Sequence, residues 1–387
     1  MNIILFDTPA RNKFAPLTQT RSIADIRMGI LTIKERWELI TSKKVFILTE
    51  KYLQDLYEPI PEGEYFFIDS TFLNFINLRE KLLNVNSNEI IDEQLNLIFK
   101  KILYKSTDGI FNSNNQFEVV ENKGIINNLE SCNQLIQLND EILRFDYELI
   151  TKGKKTEALN KTVTPINKDQ IFVEEGAIVN HCILNASTGP IYIGKNSTIM
   201  EGSLIRGPFS LGERSVVKMG SKIYGATTIG PFCTVGGEIK NSILMGYSNK
   251  AHDGYLGDSI IGEWCNLGAG TSNSNVKNTG GVIKLWNAEA KNYLPAGKKC
   301  GVVMGDFTRT AINSSINTGS YYGVCCNVFG EGLLPKIMNN YSWGTKGEVY
   351  QLDKAIEDIT NWMHFKDREL ELKMVEILKF LSTFNSP

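Results

Sequence analysis

Three histidines occur in the chain, His181, His252 and His364, and one of them lies among groups that could do chemistry. His252 sits in Asn249-Lys250-Ala251-His252-Asp253-Gly254-Tyr255, with Lys240 before it and Asn266 and Asn275 after it. An imidazole titrates near neutrality and can take a proton from an attacking amine. Lys240 and Lys250 could hold a phosphate as point charges, although each also suits a solvated outer face. A zinc site on three histidines of one chain is not expected, because His364 lies in a helical tail and His181 is far from His252 in the repeat described next. Near the start of the chain, Asp69 follows the apolar run Tyr65–Ile68. Ligands gather at the carboxyl ends of parallel strands, which makes Asp69 a candidate magnesium ligand.

The elements that must position these groups are announced by an apolar residue at every sixth position: Ile193, Ile199, Ile205, Leu211, Val217, Ile223, Ile229 and Val235. Neither the 3.6-residue period of a helix nor the two-residue period of a strand gives six. A hexapeptide repeat predicts a parallel β-helix whose coils have three flat sides, each sending one apolar side chain into a continuous core. After Val235 the frame resumes at Ile243, Tyr255, Ile261 and Leu267, out of phase by two, so a slip is expected within Gly236–Ser242. A second interruption, Thr271 to Gly301, is too long for a tight corner and predicts a projecting loop.

Around the solenoid, residues 1–165 predict an α/β domain with a closing linker. Asn2–Phe6, Val45–Thr49 and Tyr65–Ile68 read as strands, and Ile30–Ile40 and Gln94–Leu103 as helices, in a mainly parallel sheet. Ser106–Asn128 is polar and left unassigned, and Lys152–Lys168 reads as the linker. The solenoid is expected over 166–338. A helical tail over 339–387, with Asp353 as a cap, is expected to cover the open end of the solenoid. The formal charge of −2 argues against a nucleic-acid or anionic-membrane partner. The seven cysteines are scattered without a CxxC pair, which predicts reduced thiols and a cytoplasmic protein. No apolar stretch reaches the length of a membrane span.

The segment Lys240-Asn-Ser…Asn249-Lys-Ala-His252…Tyr255-Leu-Gly-Asp-Ser…Ile261-Gly…Asn266-Leu-Gly-Ala-Gly-Thr271…Asn275 resembles the acetyltransferase domain of the bifunctional N-acetylglucosamine-1-phosphate uridyltransferase / glucosamine-1-phosphate N-acetyltransferase family. The resemblance implies a left-handed β-helix and a homotrimer with acetyl-CoA bound between subunits. It implies His252 as the general base, and Lys240, Tyr255, Asn266, Asn275 and Glu238 around the sugar phosphate. Ala269 would lie by the acetyl group. The family's arginine one coil before Lys240 falls at Tyr224 here, so Arg206 or Lys222 would substitute. Its lysine after Asn275 falls at Gly281, with Lys284 as a replacement. The segment Cys300–Asp306 and the residues through Gly344 are similar to a variant bacterial branch that also carries a helical tail.

The start of the chain resembles sugar-1-phosphate nucleotidyltransferases in its first strand, in Pro16-Leu-Thr18 and in the later base. The family's glycine loop is replaced by Thr8-Pro9-Ala10, and Pro9 offers no N–H to a phosphate. By resemblance Lys13 would touch the nucleotide phosphates, with Arg11, Arg21 or Arg27 completing the grip and Mg²⁺ assisting. The leading expectation is therefore a bifunctional transferase. It would acetylate glucosamine-1-phosphate from acetyl-CoA and convert the product with UTP to UDP-N-acetylglucosamine, a cell-wall precursor, and pyrophosphate. Two alternatives stand beside it: the same architecture with another sugar or nucleotide and one active domain, and a solenoid scaffold that binds a nucleotide sugar without turnover.

Overall fold

The computed structural model describes residues 2–73, 89–91, 97–104, 118–119 and 128–384. They divide into two compact units that interleave along the chain. The first comprises Met1–Arg11, Arg21–Ile26 and Leu31–Ser131; the second comprises Asn12–Thr20, Arg27–Ile30 and Cys132–Pro387.

In the first unit, β1 (Asn2–Phe6), β2 (Val45–Leu48), β3 (Gly63–Asp69), β4 (Glu89–Ile91), β5 (Leu97–Tyr104) and β6 (Glu118–Val119) form one sheet in the order β2-β1-β3-β5-β4-β6. β1 runs parallel to β2 and β3, whereas β5 is antiparallel to both β3 and β4. Among the described strands the sheet is thus mainly parallel, with β5 alone reversed. Of the helix expected over Gln94–Leu103, residues 94–96 lie outside the described residues and the rest is the strand β5, paired with β3 from Gly63↔Tyr104 to Ile68↔Phe99. Its run of isoleucine, phenylalanine and tyrosine favours the extended state, and long-range pairing decides between two periods that the apolar spacing alone leaves open. The helix Ile33–Thr41 forms as expected. Thr32 caps it in a reciprocal box with Glu35, and it buries Ile33, Arg36 and Trp37. Ile4, Phe6, Phe46, Leu48, Tyr65 and Phe67 pack together as a core beside the sheet. Most of the unassigned segment Ser106–Asn128 lies outside the described residues.

The second unit is built on a parallel β-solenoid with three long sheets of six, nine and ten strands. The registers reproduce the hexads coil by coil. Ile193 aligns with Leu211 and Ile229, Ile199 with Val217 and Val235, and Leu184 with Ile205 and Ile223. All eight residues of the unbroken run are at most 2% exposed and belong to one core. At about 1.5–3 kcal/mol for each fully buried aliphatic side chain, these eight residues contribute substantially to the stability of the unit.

The phase slip is distributed differently from the expectation. Ile223 aligns with Ile239, Ile229 with Leu244 and Val235 with Lys250. The inward residues are therefore Ile239, Leu244, Lys250, Leu256, Ile261 and Leu267; Ile243 and Tyr255 are not among them. Two residues are lost at the corner Gly236–Gly237. One more is lost at the next corner, between Ile239 and Leu244, and again between Leu256 and Ile261. A corner can shorten without moving the flat sides, so three losses totalling four residues imitate, in a frame of six, a single slip of two.

The solenoid also begins earlier than expected. Thr164–Ile166, within the expected linker, is already the first strand of the six-stranded sheet, and Pro165 is tolerated there at the sheet edge. The helix Cys132–Thr151 belongs to this unit. Fully buried Asn139 accepts from the Gly29 N–H at 2.7 Å and donates to the Ala226 carbonyl at 2.8 Å, pinning helix to solenoid. The second interruption projects as the antiparallel hairpin Ile283–Asn287/Asn292–Gly297.

At the far end, Ser342–Trp343 pairs antiparallel with Glu348–Val349. The tail helices Leu352–His364 and Leu372–Ser382 lie along the flank of the coils rather than over their end alone. The Lys366 ammonium reaches back to the Phe232 carbonyl at 2.5 Å and to the Asn249 amide oxygen at 3.1 Å, and the Arg309 guanidinium lies 5.5 Å from the Trp362 ring centre. Gln351 occupies the N-cap position, with Asp353 inside the first turn. Among the described residues no helix is long and apolar enough to cross a membrane. All seven cysteines are buried free thiols.

Candidate active site

The outer face of the six-stranded sheet gathers most of the polar residues singled out in the sequence. Leu204, Lys222, Glu238 and Tyr255 form one register column, and Tyr224, Lys240 and Gly257 form the next, with Arg206 in line one coil before Tyr224. In these strands the middle residue points inward and its two neighbours outward. Arg206 and Lys222 are exposed, and Glu238, Lys240 and Tyr255 are half-buried.

Three contacts order this face. The Tyr224 hydroxyl donates to Glu238 Oε1 at 2.6 Å, a bond that, with burial, pushes the phenol up to about 12. The Lys240 ammonium sits 5.7 Å from the Tyr224 ring centre, a cation–π distance. Asn275 Nδ2 donates to the Tyr255 hydroxyl at 3.0 Å and to Asp258 Oδ2 at 2.5 Å. Burial, then the Asp258 charge, pushes the Tyr255 phenol up to about 12, so it stays a neutral donor.

Asp258 is the residue that sequence reasoning missed. It is buried at a corner with a left-handed φ of 47°, and its other oxygen accepts from Asn241 Nδ2 at 2.7 Å. One carboxylate thus ties two asparagines from adjacent coils. The only sequence signal is an aspartate beside a serine at a corner, where short polar side chains accept the left-handed conformation.

Asn275 reaches this face because the coil that carries it is bonded unusually. Asn273 occupies the inward position after Leu256. Its side-chain oxygen accepts from the Gly257 N–H at 2.7 Å, and its Nδ2 donates to the Gly257 carbonyl at 3.0 Å. The Tyr255 N–H donates to Ser272 Oγ at 3.1 Å. Side chains replace the backbone ladder here, so the six-stranded sheet ends at Tyr255–Gly257.

His252 lies at the neighbouring corner, between Asn249–Lys250 and Tyr255–Gly257, and is exposed. Ala269 stands two residues past Leu267, as His252 stands two past Lys250, so both occupy the same corner one coil apart; the Gly270 N–H donates to the Asp253 carbonyl at 3.1 Å. Asn266 is not brought to the Tyr255 group within one chain. It lies in the ten-stranded sheet, between Asn249 and Arg309, the two residues contacted by the helical tail.

Lys250 is not a surface phosphate ligand. It is 2% exposed and takes the inward place that Val235 holds one coil earlier. Its ammonium donates to the Gly236 carbonyl at 3.1 Å and to the His252 carbonyl. Burial, opposed in part by Asp253, brings its pKa down to about 8.

In the first unit, Asp7 and Asp69 lie at the carboxyl ends of the parallel strands β1 and β3. Asp7 accepts from Ser22 Oγ at 2.9 Å, the Ile23 N–H at 3.2 Å and Thr49 Oγ1 at 2.6 Å, with Arg11 Nε 3.6 Å away. Asp69 Oδ1 accepts both the N–H and the hydroxyl of Thr71 at 2.8 Å, and burial raises both aspartates. Asp69 Oδ1 as arranged closes its own turn. Among the described residues no group of three or more His, Cys, Asp or Glu could hold a metal ion. Arg11 and Arg21 are buried in this unit, and Arg11 Nη2 donates to the Arg21 carbonyl at 3.4 Å; Lys13 and Arg27 belong to the other unit. Pro9–Phe14 is a 3-10 helix where the resembling family has an open glycine loop.

Residues 3–155 match the sugar nucleotidyl transferase family. The chain is similar to the bifunctional protein GlmU of Methanocaldococcus jannaschii, 33% identical over 119 residues that cover 31% of this chain and 28% of that protein. It is also similar to the bifunctional sugar-1-phosphate nucleotidylyltransferase/acetyltransferase of Sulfurisphaera tokodaii, 34% identical over 24% of this chain and 23% of that one. GlmU of a Cyanothece species is 27% identical over 48% of this chain and 42% of its own length. The matches with the first two proteins thus span less than a third of each relative. Among solved structures, a hexapeptide transferase family protein from Anaplasma phagocytophilum is 16% identical, covers 57% of this chain and 87% of its own, and superposes with a TM-score of 0.16; the coil assignment above rests on strand registers alone.

Proposed function

We propose that the chain is a bifunctional transferase, with a sugar-1-phosphate nucleotidyltransferase in its first part and an acetyltransferase on the solenoid. The observation that carries the reading is the convergence of Tyr224, Glu238, Lys240, Tyr255, Asp258 and Asn275 on one outer face, beside the corner that bears His252 and Ala269. This face suits an amino-sugar phosphate. Lys240 supplies a cation, with Lys222 and Arg206 further along the sheet, and the Tyr255 hydroxyl, having accepted from Asn275, keeps its proton to donate. His252 takes a proton from the sugar amine. The nitrogen attacks the thioester carbonyl of acetyl-CoA, the carbon–sulfur bond breaks, and CoA leaves as the thiol once protonated. By resemblance the sugar is glucosamine-1-phosphate, and UTP and Mg²⁺ serve the second reaction, which forms UDP-N-acetylglucosamine and releases pyrophosphate.

The position of Asn266 supports a homotrimer. A site that uses both Asn266 and Tyr255 needs two sheets that one chain presents in different directions, and a neighbouring copy can bring them together. In purified protein, His252→Ala abolishes CoA release from acetyl-CoA and glucosamine-1-phosphate and leaves pyrophosphate release with UTP intact. Wild-type protein that releases no CoA with any amino-sugar phosphate would refute the acetyltransferase reading.

One observation favours the reading with a single active domain. The donors at the end of β1 already converge on the Asp7 carboxylate, where a phosphate cradle would offer them to a nucleotide. A screen of nucleoside triphosphates against sugar-1-phosphates, read as pyrophosphate, separates the two; no release with any pair leaves the solenoid as the sole enzyme.

A further inference from the structure

The corner that carries His252 satisfies its inward carbonyls differently from the two coils that carry Ser203 and Ser221. In two successive coils a serine precedes the first outward residue of the strand in the six-stranded sheet: Ser203 before Leu204 and Ser221 before Lys222. Both hydroxyls donate to the Lys218 carbonyl, Ser203 Oγ at 3.1 Å and Ser221 Oγ at 2.5 Å. Thr271 resumes this role later, donating to the Ala311 carbonyl at 3.2 Å. Between them the same register position is held by Gly237 and Gly254, before Glu238 and Tyr255.

These two glycines cannot be exchanged for serine. Gly237 has φ of 73° and Gly254 of 118°; a Cβ on Gly237 would stand 2.8 Å from the His252 oxygen, and one on Gly254 would stand 2.1 Å from the Thr271 oxygen. The shortened corner has drawn the backbones so close that no side chain fits. It leaves the Gly236 carbonyl, which stands one coil after that of Lys218, without a hydroxyl donor, and a buried carbonyl without a donor is costly.

Lys250 supplies the donor from the inside. It sits in a column that otherwise carries Ile199, Val217 and Val235 before it and Leu267, Thr310 and Val328 after it, none of them charged. A buried ammonium in that column is unfavourable by itself, so its retention requires a role that an aliphatic chain cannot fill. We propose that Lys250 is a positioning residue, whose ammonium bonds the Gly236 and His252 carbonyls from within the solenoid and so fixes the backbone from which the His252 imidazole projects. The claim rests on the reading of His252 as the general base, but its structural half does not.

The test uses the full-length chain with Lys250→Met, which keeps the volume and removes the donor. Hydrogen–deuterium exchange, read by mass spectrometry, reports the corner through the amides of Gly236, Glu238 and Gly270, which are bonded to Lys250, Gly254 and Asp253. Exchange there rises about tenfold or more in the variant, while peptides carrying the Met200 and Leu204 amides keep wild-type protection. In acetyl transfer kcat falls about tenfold to a hundredfold, as expected for a misplaced catalytic group, with KM for both substrates within about threefold of wild type. A merely structural lysine would lower the folded fraction without this split. Unchanged corner exchange, or unchanged kcat in a variant whose corner has loosened, overturns the proposal. If Lys250→Met does not fold, Lys250→Gln, which retains one amide donor, is held to the same two criteria. If the wild type transfers no acetyl group, the base assignment fails, and the exchange result still decides whether Lys250 fixes the corner.

Discussion

Replacing Lys250 should change how the stability of the solenoid depends on pH, with a sign that follows from burial. In the folded chain the ammonium loses its proton near pH 8, whereas in the unfolded chain it holds it to the ordinary lysine value of 10.5. Between those values the unfolded state binds more protons, so raising the pH favours folding at about 1.4 kcal/mol per pH unit. Below pH 8 both states are protonated, and the folded state carries the full burial cost of about 3 kcal/mol. Lys250→Met removes that cost but leaves the Gly236 and His252 carbonyls without a donor, at about 1–3 kcal/mol each. At pH 7 the two effects nearly cancel, and wild type and variant should unfold at similar urea concentrations. From pH 8 to 9.5 the wild type gains about 2 kcal/mol on the variant, because the neutral amine still donates to both carbonyls. The assay is urea unfolding at constant ionic strength, followed by tryptophan fluorescence at pH 7, 8, 9 and 9.5, and read as the difference between the two proteins. The buried thiols and tyrosines are common to both, so their titration cancels in that difference. A difference that stays flat across this range, or that moves in favour of the variant, refutes the account of a buried ammonium at this position.

Two further outcomes follow from the coil geometry. Ile223→Ala, in the middle of the inward column and 1% exposed, should cost about 2–5 kcal/mol in urea unfolding, while Lys222→Ala beside it stays within about 0.5 kcal/mol. Asn275→Ala frees both the Tyr255 hydroxyl and the Asp258 carboxylate, and should raise KM for the amino-sugar phosphate several-fold more than KM for acetyl-CoA in steady-state assays of CoA release.

The solenoid was legible in the sequence because each flat side sends one residue inward, and that residue must be apolar whatever surrounds it. Ile193 through Val235 carry this constraint without exception. Corners carry no such mark. The four positions from Val235 to Ile239, and the five from Ile239 to Leu244, are set by backbone geometry, and the same letters are compatible with one slip of two residues placed elsewhere. For that reason Ile243 and Tyr255 looked inward from the sequence and Lys250 looked outward. β5 shows the same limit in another form: Leu97-Ile-Phe-Lys-Lys-Ile-Leu-Tyr104 satisfies a helical spacing and a strand composition together, and its partner β3 decides. Asp258 and Asp7 were invisible for a related reason. Each is a single carboxylate whose donors come from residues distant in sequence, and nothing local announces the convergence.

The departures from the repeat are physically linked rather than scattered. Shortening the corner at Gly236–Gly237 brings the backbone of one coil against the next, which forces glycine at 237 and 254 and removes the hydroxyl ladder. The lost hydroxyls create the need that Lys250 meets, and the cation must then enter a column that otherwise holds no charge. The next coil repeats the pattern with a different group: Asn273 takes an inward place and bonds Gly257 through its amide, and the sheet stops. Where the sheet stops, Asn275 is free to turn toward Tyr255 and Asp258 rather than continue the ladder. A perfectly regular solenoid would offer none of this, because its outer faces repeat the same few positions and its corners hold no histidine in a distinct setting. Lys250 and Asn273, inward polar residues each unfavourable alone, therefore mark the two coils that carry the proposed site.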